Sequence, residues 1–342
     1  MGVNEMDEQY LFDKILGGLY GQALGDAFAM PAYLHPKDTR EKYGDWITDF
    51  HPGPPDHPVH FGLAAGQVTD DTEQAMALAE MIIQEKGITV KGAAQALVNW
   101  YESIDGDNSP YVGPSSRKAC QALKAGADPT MTGNQGDTDG GAMRISPIGL
   151  INPGNPQQAV KDAATACTPS HNTRVAISGA AAVAGAIAEA MKENNSLDDV
   201  LQAGIQSAEE GEKYGHTWLG ASVPRRIKLA LEIASQEKAV FDRIVDLYDV
   251  IGSTLATSET VPSAFGVLSL SGGDITLCAQ YSAAISGDAD TVGAIACAIA
   301  GAWNGYEKFP KKFIKKITEA NAVFNFEGTA KGLFEVAKGR VK

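Results

Sequence analysis

Two stretches decide the fold: Arg174–Lys192, RVAISGAAAVAGAIAEAMK, and Thr291–Tyr306, TVGAIACAIAGAWNGY. Both space their apolar residues helically over more than ten positions, and both are mostly Ala and Gly. Each Gly inside a helix costs about 1 kcal/mol relative to Ala, so this many point to close approach of helix backbones. The apolar cores of the two stretches, Val175–Ala188 and Val292–Trp303, are too short to span a bilayer. They are expected to be helices packed near the centre of the protein.

Working outward, the same spacing predicts helices over Leu11–Phe28, Thr72–Lys86, Val90–Ile104, Ser115–Ala125, Ala159–Cys167, Leu197–Gly211, Arg225–Ala234, Val240–Ile251 and Ile275–Ser286. Convincing period-two strands are absent, so the chain is expected to be all-α. No Ser/Pro-rich linker and no repeat interrupts the 342 residues, and one domain, 1–342, is the simplest account. With 44% hydrophobic and 20% charged residues the chain can bury a large core. The longest loop, DFHPGPPDHPVHFGLAAG from Asp49 to Gly66, is expected to form a rim or lid over a site.

Charge narrows the function. The 28 basic and 42 acidic residues leave −14, the wrong sign for neutralising a phosphate backbone, so nucleic acid is not an expected partner. Residues 307–342 are basic, with nine Lys/Arg against four Glu, and read as a solvated helical segment of the same domain. Four well-separated cysteines, Cys120, Cys167, Cys278 and Cys297, read as reduced thiols. The opening MGVNEMDEQYLFDK lacks the pattern of a secretory signal, so a cytoplasmic protein with no membrane partner is expected.

The sharpest local motif is Gly66-Gln67-Val68-Thr69-Asp70-Asp71-Thr72-Glu73, directly before an apolar-periodic helix. It reads either as an N-cap with Glu73 closing a capping box, or as carboxylates and a hydroxyl gathered at a helix N-terminus to hold a hard cation. The same chemistry recurs 218 residues later in Ser286-Gly287-Asp288-Ala289-Asp290-Thr291, again opening an Ala/Gly helix. Four carboxylates and two Thr hydroxyls are the oxygen donors that a pair of Mg²⁺ ions takes from protein.

Between these lies Gly136-Asp137-Thr138-Asp139-Gly140-Gly141-Ala142-Met143-Arg144, a candidate ligand loop. Its Gly-Gly pair could present backbone N–H groups, and Arg144 could pair with a phosphate or with a structural carboxylate. An EF-hand is excluded because the further Asp and the closing Glu are missing. His171 precedes the Ala-rich helix and reads as a cap or core histidine or as a ligand. His51, His57 and His60 lack a fourth zinc ligand in sequence, and zinc is not expected there. Dinucleotide, Walker A and nucleophile-elbow motifs are absent.

With these residues in place, the chain resembles the ADP-ribosylglycohydrolase family over nearly its whole length. Leu19–Ala27 resembles the opening glycine helix with its G-D turn at Gly25-Asp26. Thr69–Thr72 matches T-D-D-T, Gly140–Arg144 matches G-[GA]-A-M-R, His171 the S/T-H, and Gly287–Thr291 the G-D-x-D-T. The resemblance implies a compact all-α helical bundle with two Mg²⁺ ions, or Mn²⁺, in a central cleft. Its metal ligands would be Thr69, Asp70, Asp71, Asp288, Asp290 and Thr291. It further implies hydrolysis at the anomeric carbon of a ribose, with Asp70, Asp71 or Asp288 as the base. Substrate contacts would come from Asp26, Tyr33, Asp139, Gly140, Gly141, Met143 and His171.

Three departures bear on the substrate. Tyr33 stands where ADP-ribose-removing members carry a Glu, and a phenol of pKa about 10 is a poor base at neutral pH. Thr138-Asp139 replaces a common G-N, bringing carboxylates near any diphosphate. Asp137 occupies the position of an adenine-stacking aromatic, which leaves Tyr111, Trp100 or Trp218 as replacements from other loops. Ser258–Ala264 resembles a supporting stretch of the core or cleft wall, with no catalytic role for Glu259. The expected substrate is an ADP-ribosylated protein or small molecule. A smaller nucleoside-like N-ribosyl compound is one alternative, and a metal- and ligand-binding member without turnover is the other.

Overall fold

A computed structural model describes residues 7–340. The N-terminal stretch read above therefore lies outside the described residues up to Met6, as do the last two residues of the basic segment. Among the described residues the chain forms seventeen α-helices and no strand beyond two isolated bridges. In order they are α1 (Glu8–Ala29), α2 (Pro36–Tyr43), α3 (Asp70–Glu85), α4 (Val90–Ser103), α5 (Pro114–Lys124), α6 (Gly140–Met143), α7 (Ser146–Leu150), α8 (Pro156–Cys167) and α9 (Arg174–Ala190). There follow α10 (Leu197–Gly211), α11 (Val223–Ala234), α12 (Val240–Asp246), α13 (Thr257–Leu270), α14 (Ile275–Ile285), α15 (Ala289–Asn304), α16 (Lys311–Ala320) and α17 (Phe326–Lys338). The protein is all-α. None of the described helices is long and apolar enough to cross a membrane.

Helices α1 and α15 form the central pair, and glycine explains how close they lie. Gly17, Gly21 and Gly25 recur every four residues on α1, facing Gly301, Cys297 and Gly293 on α15 in the opposite direction. A Cβ built on Gly17, Gly21 or Gly25 would lie 2.4, 2.1 or 1.9 Å from the carbonyl oxygen of its partner. Backbone therefore rests on backbone, with rows at i, i+4 meeting as in ridge-into-groove packing. Because the pair is antiparallel, the C-terminal end of α1, with Asp26, arrives at the N-terminal end of α15. Helix α9 is the second buried axis: residues 176–188 are all buried, among α8, α10 and α13. The four cysteines are free and buried.

Some elements differ from their sequence expectation for identifiable reasons. The expected helix over Val240–Ile251 ends as α at Asp246 and closes with a π turn, Leu247–Ile251. Helix α13 was not expected, because Pro262 sits inside it and Ser, Thr and Gly dilute its apolar pattern; burial on nearly every side holds it together. The short helices α6 and α7, five residues or fewer, are below the length that periodicity can register.

If this packing holds the molecule together, Gly25→Ala, whose methyl would meet the Gly293 carbonyl, destabilises the fold by about 3 kcal/mol. Gly339→Ala, at a helical C-cap with only ordinary contacts, stays within about 0.5 kcal/mol. Urea unfolding of the two variants tests the contrast.

Candidate active site

The site begins with Asp26. It is wholly buried, and its carboxylate accepts hydrogen bonds from the Thr69 backbone N–H (3.0 and 3.1 Å), the Thr72 N–H (3.2 Å) and the Thr72 hydroxyl (2.5 Å). These are free N–H groups of the first turn of α3, so one carboxylate on α1 fixes where α3 starts. Gln22, one turn earlier, reinforces it by donating to the Asp71 carbonyl (2.9 Å) and the Met143 carbonyl (3.0 Å). Thr69 caps α3 by accepting from the Asp71 N–H (3.3 Å). The capping box does not form, because the Glu73 carboxylate instead accepts from the Trp100 indole (2.9 Å).

The N-terminus of α15 is aimed by a strained turn. Ser286 and Gly287 both have positive φ, 62° and 71°, and a Cβ on Gly287 would lie 2.2 Å from the Ser253 carbonyl oxygen. That carbonyl accepts from the Asp288 N–H (2.9 Å), and the Ser253 hydroxyl donates to the Ser286 carbonyl (2.7 Å). Asp288 is the N-cap residue but makes no capping bond, which leaves its carboxylate for the cavity.

A cavity of about 230 Å³ opens where these helix ends meet. Asp70, Asp71, Asp139, Asp288, Asp290 and Thr291 line it with Gly140, Met143, His60, Tyr111, Thr138 and Leu255. Burial pushes Asp70, Asp71 and Asp288 well above the ordinary carboxylate range, and neighbouring carboxylates add to the shift. Asp139 is raised to about 6, chiefly by burial, although hydrogen bonds with Asp288 and with the Thr260 hydroxyl (2.7 Å) oppose the rise. Behind the wall, burial raises Asp26 to about 7.

Asp290 is the exception. Burial is the largest single influence and works to raise it, but the His60 imidazole, together with His57 and a backbone hydrogen bond, outweighs burial and holds it below the ordinary range; His60 Nε2 donates to Asp290 Oδ2 at 2.7 Å. Burial would lower His60, and Asp290, assisted by Asp70 and Asp26, raises it instead. His60 stacks on Tyr111, with ring centroids 5.9 Å apart and planes 14° apart. Thus the long loop before α3 does reach the cavity, through one histidine.

The other sequence candidates fall around this centre. Tyr33 does not line the cavity: its ring lies against His57, its hydroxyl bonds to Asp56, and that bond raises it to about 12. His171 is fully buried beside the cavity, bonded to Thr138 through Nε2 (3.0 Å) and to Ser170 through Nδ1 (2.8 Å). Burial and then the Arg144 cation hold it neutral, well below its ordinary pKa. Gly140 and Gly141 lack side chains where His171 and Cys167 press against them. Arg144 is buried and pairs with no carboxylate among the described residues; it donates to Gln74 (2.8 Å) and Ser170 (2.5 Å) in the interior.

Of the three possible replacement aromatics, Tyr111 is on the cavity wall and Trp100 is buried behind α3. Trp218 is at the rim, its indole N–H donating to Asp137 Oδ2 at 3.0 Å. Sequence reasoning missed Gln22, Thr260 and His60. Thr260 lies in the Ser258–Ala264 stretch expected to support the core or cleft wall, and His60 in the loop expected over a site, but neither side chain is singled out by its surroundings in sequence.

The donor set fits hard cations. Asp71 Oδ1 and Asp288 Oδ2 are buried without any hydrogen-bond partner, and a buried carboxylate oxygen left without donor or cation is costly. As the side chains stand, no three His, Cys, Asp or Glu groups among the described residues are gathered tightly enough to hold an ion. Binding would draw the carboxylates inward.

Fold and site define an all-α protein whose carboxylate-lined cleft lies between helix N-termini. The ADP-ribosylglycohydrolase family model matches residues 7–341, and the chain belongs to that family. It is 32% identical to the uncharacterized protein YegU of Escherichia coli, over 93% of this chain and 96% of that protein. It is 27% identical to the ADP-ribosylarginine hydrolase Tri1 of Serratia proteamaculans, over 96% of this chain and 81% of that one. A solved structure described as an ADP-ribosylglycohydrolase-related protein complex shares the fold, with a TM-score of 0.66, 21% identity, and coverage of 96% and 99% of the two chains.

The raised carboxylates set a pH dependence. A group held above its unfolded pKa stabilises the fold while protonated, and that stability is lost as pH rises through the folded value. For Asp139 and Asp26 the loss runs from about pH 4 to about 6 and about 7. In EDTA the melting temperature is therefore expected to be lower at pH 8 than at pH 5 by about 5 °C. The stabilisation produced by Mg²⁺ should grow over the same interval, because binding displaces protons. Melting curves with and without Mg²⁺ check both trends; a Mg²⁺ effect independent of pH contradicts them.

Proposed function

We propose that this protein is a divalent-cation-dependent hydrolase of ribosyl glycosidic bonds that releases ADP-ribose from a modified protein or small molecule. The observation that carries this reading is the convergence of two acidic helix N-termini on one cavity, with Asp70 and Asp71 from α3 and Asp288, Asp290 and Thr291 from α15. Family membership supports the ribosyl substrate class, as does the likeness to the Serratia ADP-ribosylarginine hydrolase.

Thr69, Asp70, Asp71, Asp288, Asp290 and Thr291 would hold two Mg²⁺ or Mn²⁺ ions. Bound there, the ions supply positive charge for ribose oxygens and a more acidic water. The chain's own contribution is orientation. Asp70, Asp71 and Asp288 are the candidate groups to hold the attacking water and take its proton as the anomeric carbon develops oxocarbenium character. Tyr111 forms an apolar wall that limits water on one side. Tyr33, turned to Asp56, takes no part in proton transfer.

A smaller, nucleoside-like N-ribosyl substrate is favoured by one specific observation. Among the described residues no Lys or Arg lines the cavity, whose volume of about 230 Å³ lies below the usual ~300 Å³ lower bound for ligand pockets. Against the ADP-ribose reading this carries less weight than it would if Asp139 faced a diphosphate, because Asp139 is directed toward Asp288 and Thr260.

Mass spectrometry of Mg²⁺-loaded protein with ADP-ribosyl-arginine, ADP-ribosyl-serine, O-acetyl-ADP-ribose and a nucleoside panel separates the readings. Release of ADP-ribose from one of the first three is expected, with a loss of about 10³-fold in Asp290→Ala. Nucleoside cleavage alone selects the smaller substrate. Ligand binding without turnover on any compound marks a binding protein, and undiminished turnover in Asp290→Ala refutes the cation-dependent mechanism.

A further inference from the structure

His60 is placed where no spacing in the sequence would put it. It is 6% exposed and lines the carboxylate cavity, and it belongs to the loop preceding α3 rather than to either acidic helix N-terminus. Its Nε2 lies 2.7 Å from Asp290 Oδ2, and its Nδ1 is buried with no hydrogen-bond partner. A buried imidazole with one nitrogen unsatisfied and the other on a carboxylate is an expensive arrangement if its only task is packing.

The neighbouring histidines show the contrast. His57 Nδ1 accepts from the backbone N–H groups of Val59 (3.1 Å) and His60 (2.9 Å), and its ring also bonds to the Met30 backbone. His171 has both nitrogens engaged by Thr138 and Ser170. Of the three, only His60 combines a place on the cavity wall with a nitrogen shared with a carboxylate oxygen.

We infer that His60 is a nitrogen ligand of the cation held at Asp290, so that the cleft is a mixed oxygen and nitrogen site that prefers a first-row transition ion to Mg²⁺. This inference rests on the cation-binding reading of the cleft. The spacing supports it: adjacent ligands on an octahedral ion with bonds of about 2.1 Å lie about 3 Å apart. His60 Nε2 and Asp290 Oδ2 already stand near that separation, so both can bind one ion set to the side of the line joining them once His60 releases its Nε2 proton and the imidazole turns within its plane. The chemistry then sets selectivity. Oxygen-only sets suit Mg²⁺, whereas an imidazole nitrogen adds affinity for transition ions and little for Mg²⁺. Tyr111, stacked on the ring, keeps the imidazole in this orientation.

Mn²⁺ is the probe, bound to the full chain and read by pulsed electron paramagnetic resonance. The wild-type protein is expected to show ¹⁴N coupling of a directly bound imidazole, changing to the ¹⁵N pattern when histidine is isotopically labelled. In His60→Gln that coupling disappears, Mn²⁺ affinity by calorimetry falls about tenfold, and Mg²⁺ affinity changes less than about threefold. If wild type binds Mn²⁺ without histidine coupling, or if His60→Gln weakens both ions equally, His60 is not a ligand and the inference is overturned. If wild type binds neither ion, the cation reading of the cleft fails as well. The isotope experiment needs only wild-type protein, so the absence of histidine coupling overturns the inference whether or not the variant folds.

Discussion

Backbone contact between α1 and α15 is the constraint from which the rest of the structure follows. Gly17, Gly21 and Gly25 against Gly301, Cys297 and Gly293 leave no space for side chains, so the two helices have one register in which they fit. That register delivers Asp26 to the start of α15. Asp26 in turn gathers the first N–H groups of α3, which places Asp70 and Asp71 opposite Asp288 and Asp290. Packing in the core thus determines the geometry of the cleft, with one buried carboxylate as the link.

The cost of that geometry is electrostatic. Several carboxylates share one cavity, and burial raises most of them. Helix N-termini and Thr hydroxyls offset part of the cost by offering dipoles and hydrogen bonds. The partnerless oxygens on Asp71 and Asp288 show that the protein's own groups do not offset all of it. In the proposed reading, a cation bound between these groups would relieve the remaining cost, and its affinity would draw on that energy.

Much of this was legible before the structure. Helical spacing located the long helices to within a few residues, and the Ala/Gly composition of 174–192 and 291–306 marked the buried ones. Ordered motifs pointed to the family and to the two acidic helix starts. What sequence could not supply was direction. Tyr33 and Asp137 are close in sequence to site residues, yet Tyr33 turns to Asp56 and Asp137 to Trp218. Arg144 looked available for a phosphate and is enclosed by Gln74 and Ser170. His60 belongs to the loop expected over a site and Thr260 to a stretch expected to support the core or cleft wall, but with no periodicity in the loop and Pro262 inside α13 nothing local singled out either side chain. These residues meet the site through contacts made across distant parts of the chain.

The central claim is that the meeting of α3 and α15 is a cation site, and anomalous diffraction from crystals of the protein grown with Mn²⁺ tests it most directly. The account predicts anomalous density between Asp70, Asp71, Asp288 and Asp290, with the carboxylates drawn in around it. Mn²⁺ density elsewhere on the molecule and none in this cavity, at a concentration that saturates the protein, would contradict it.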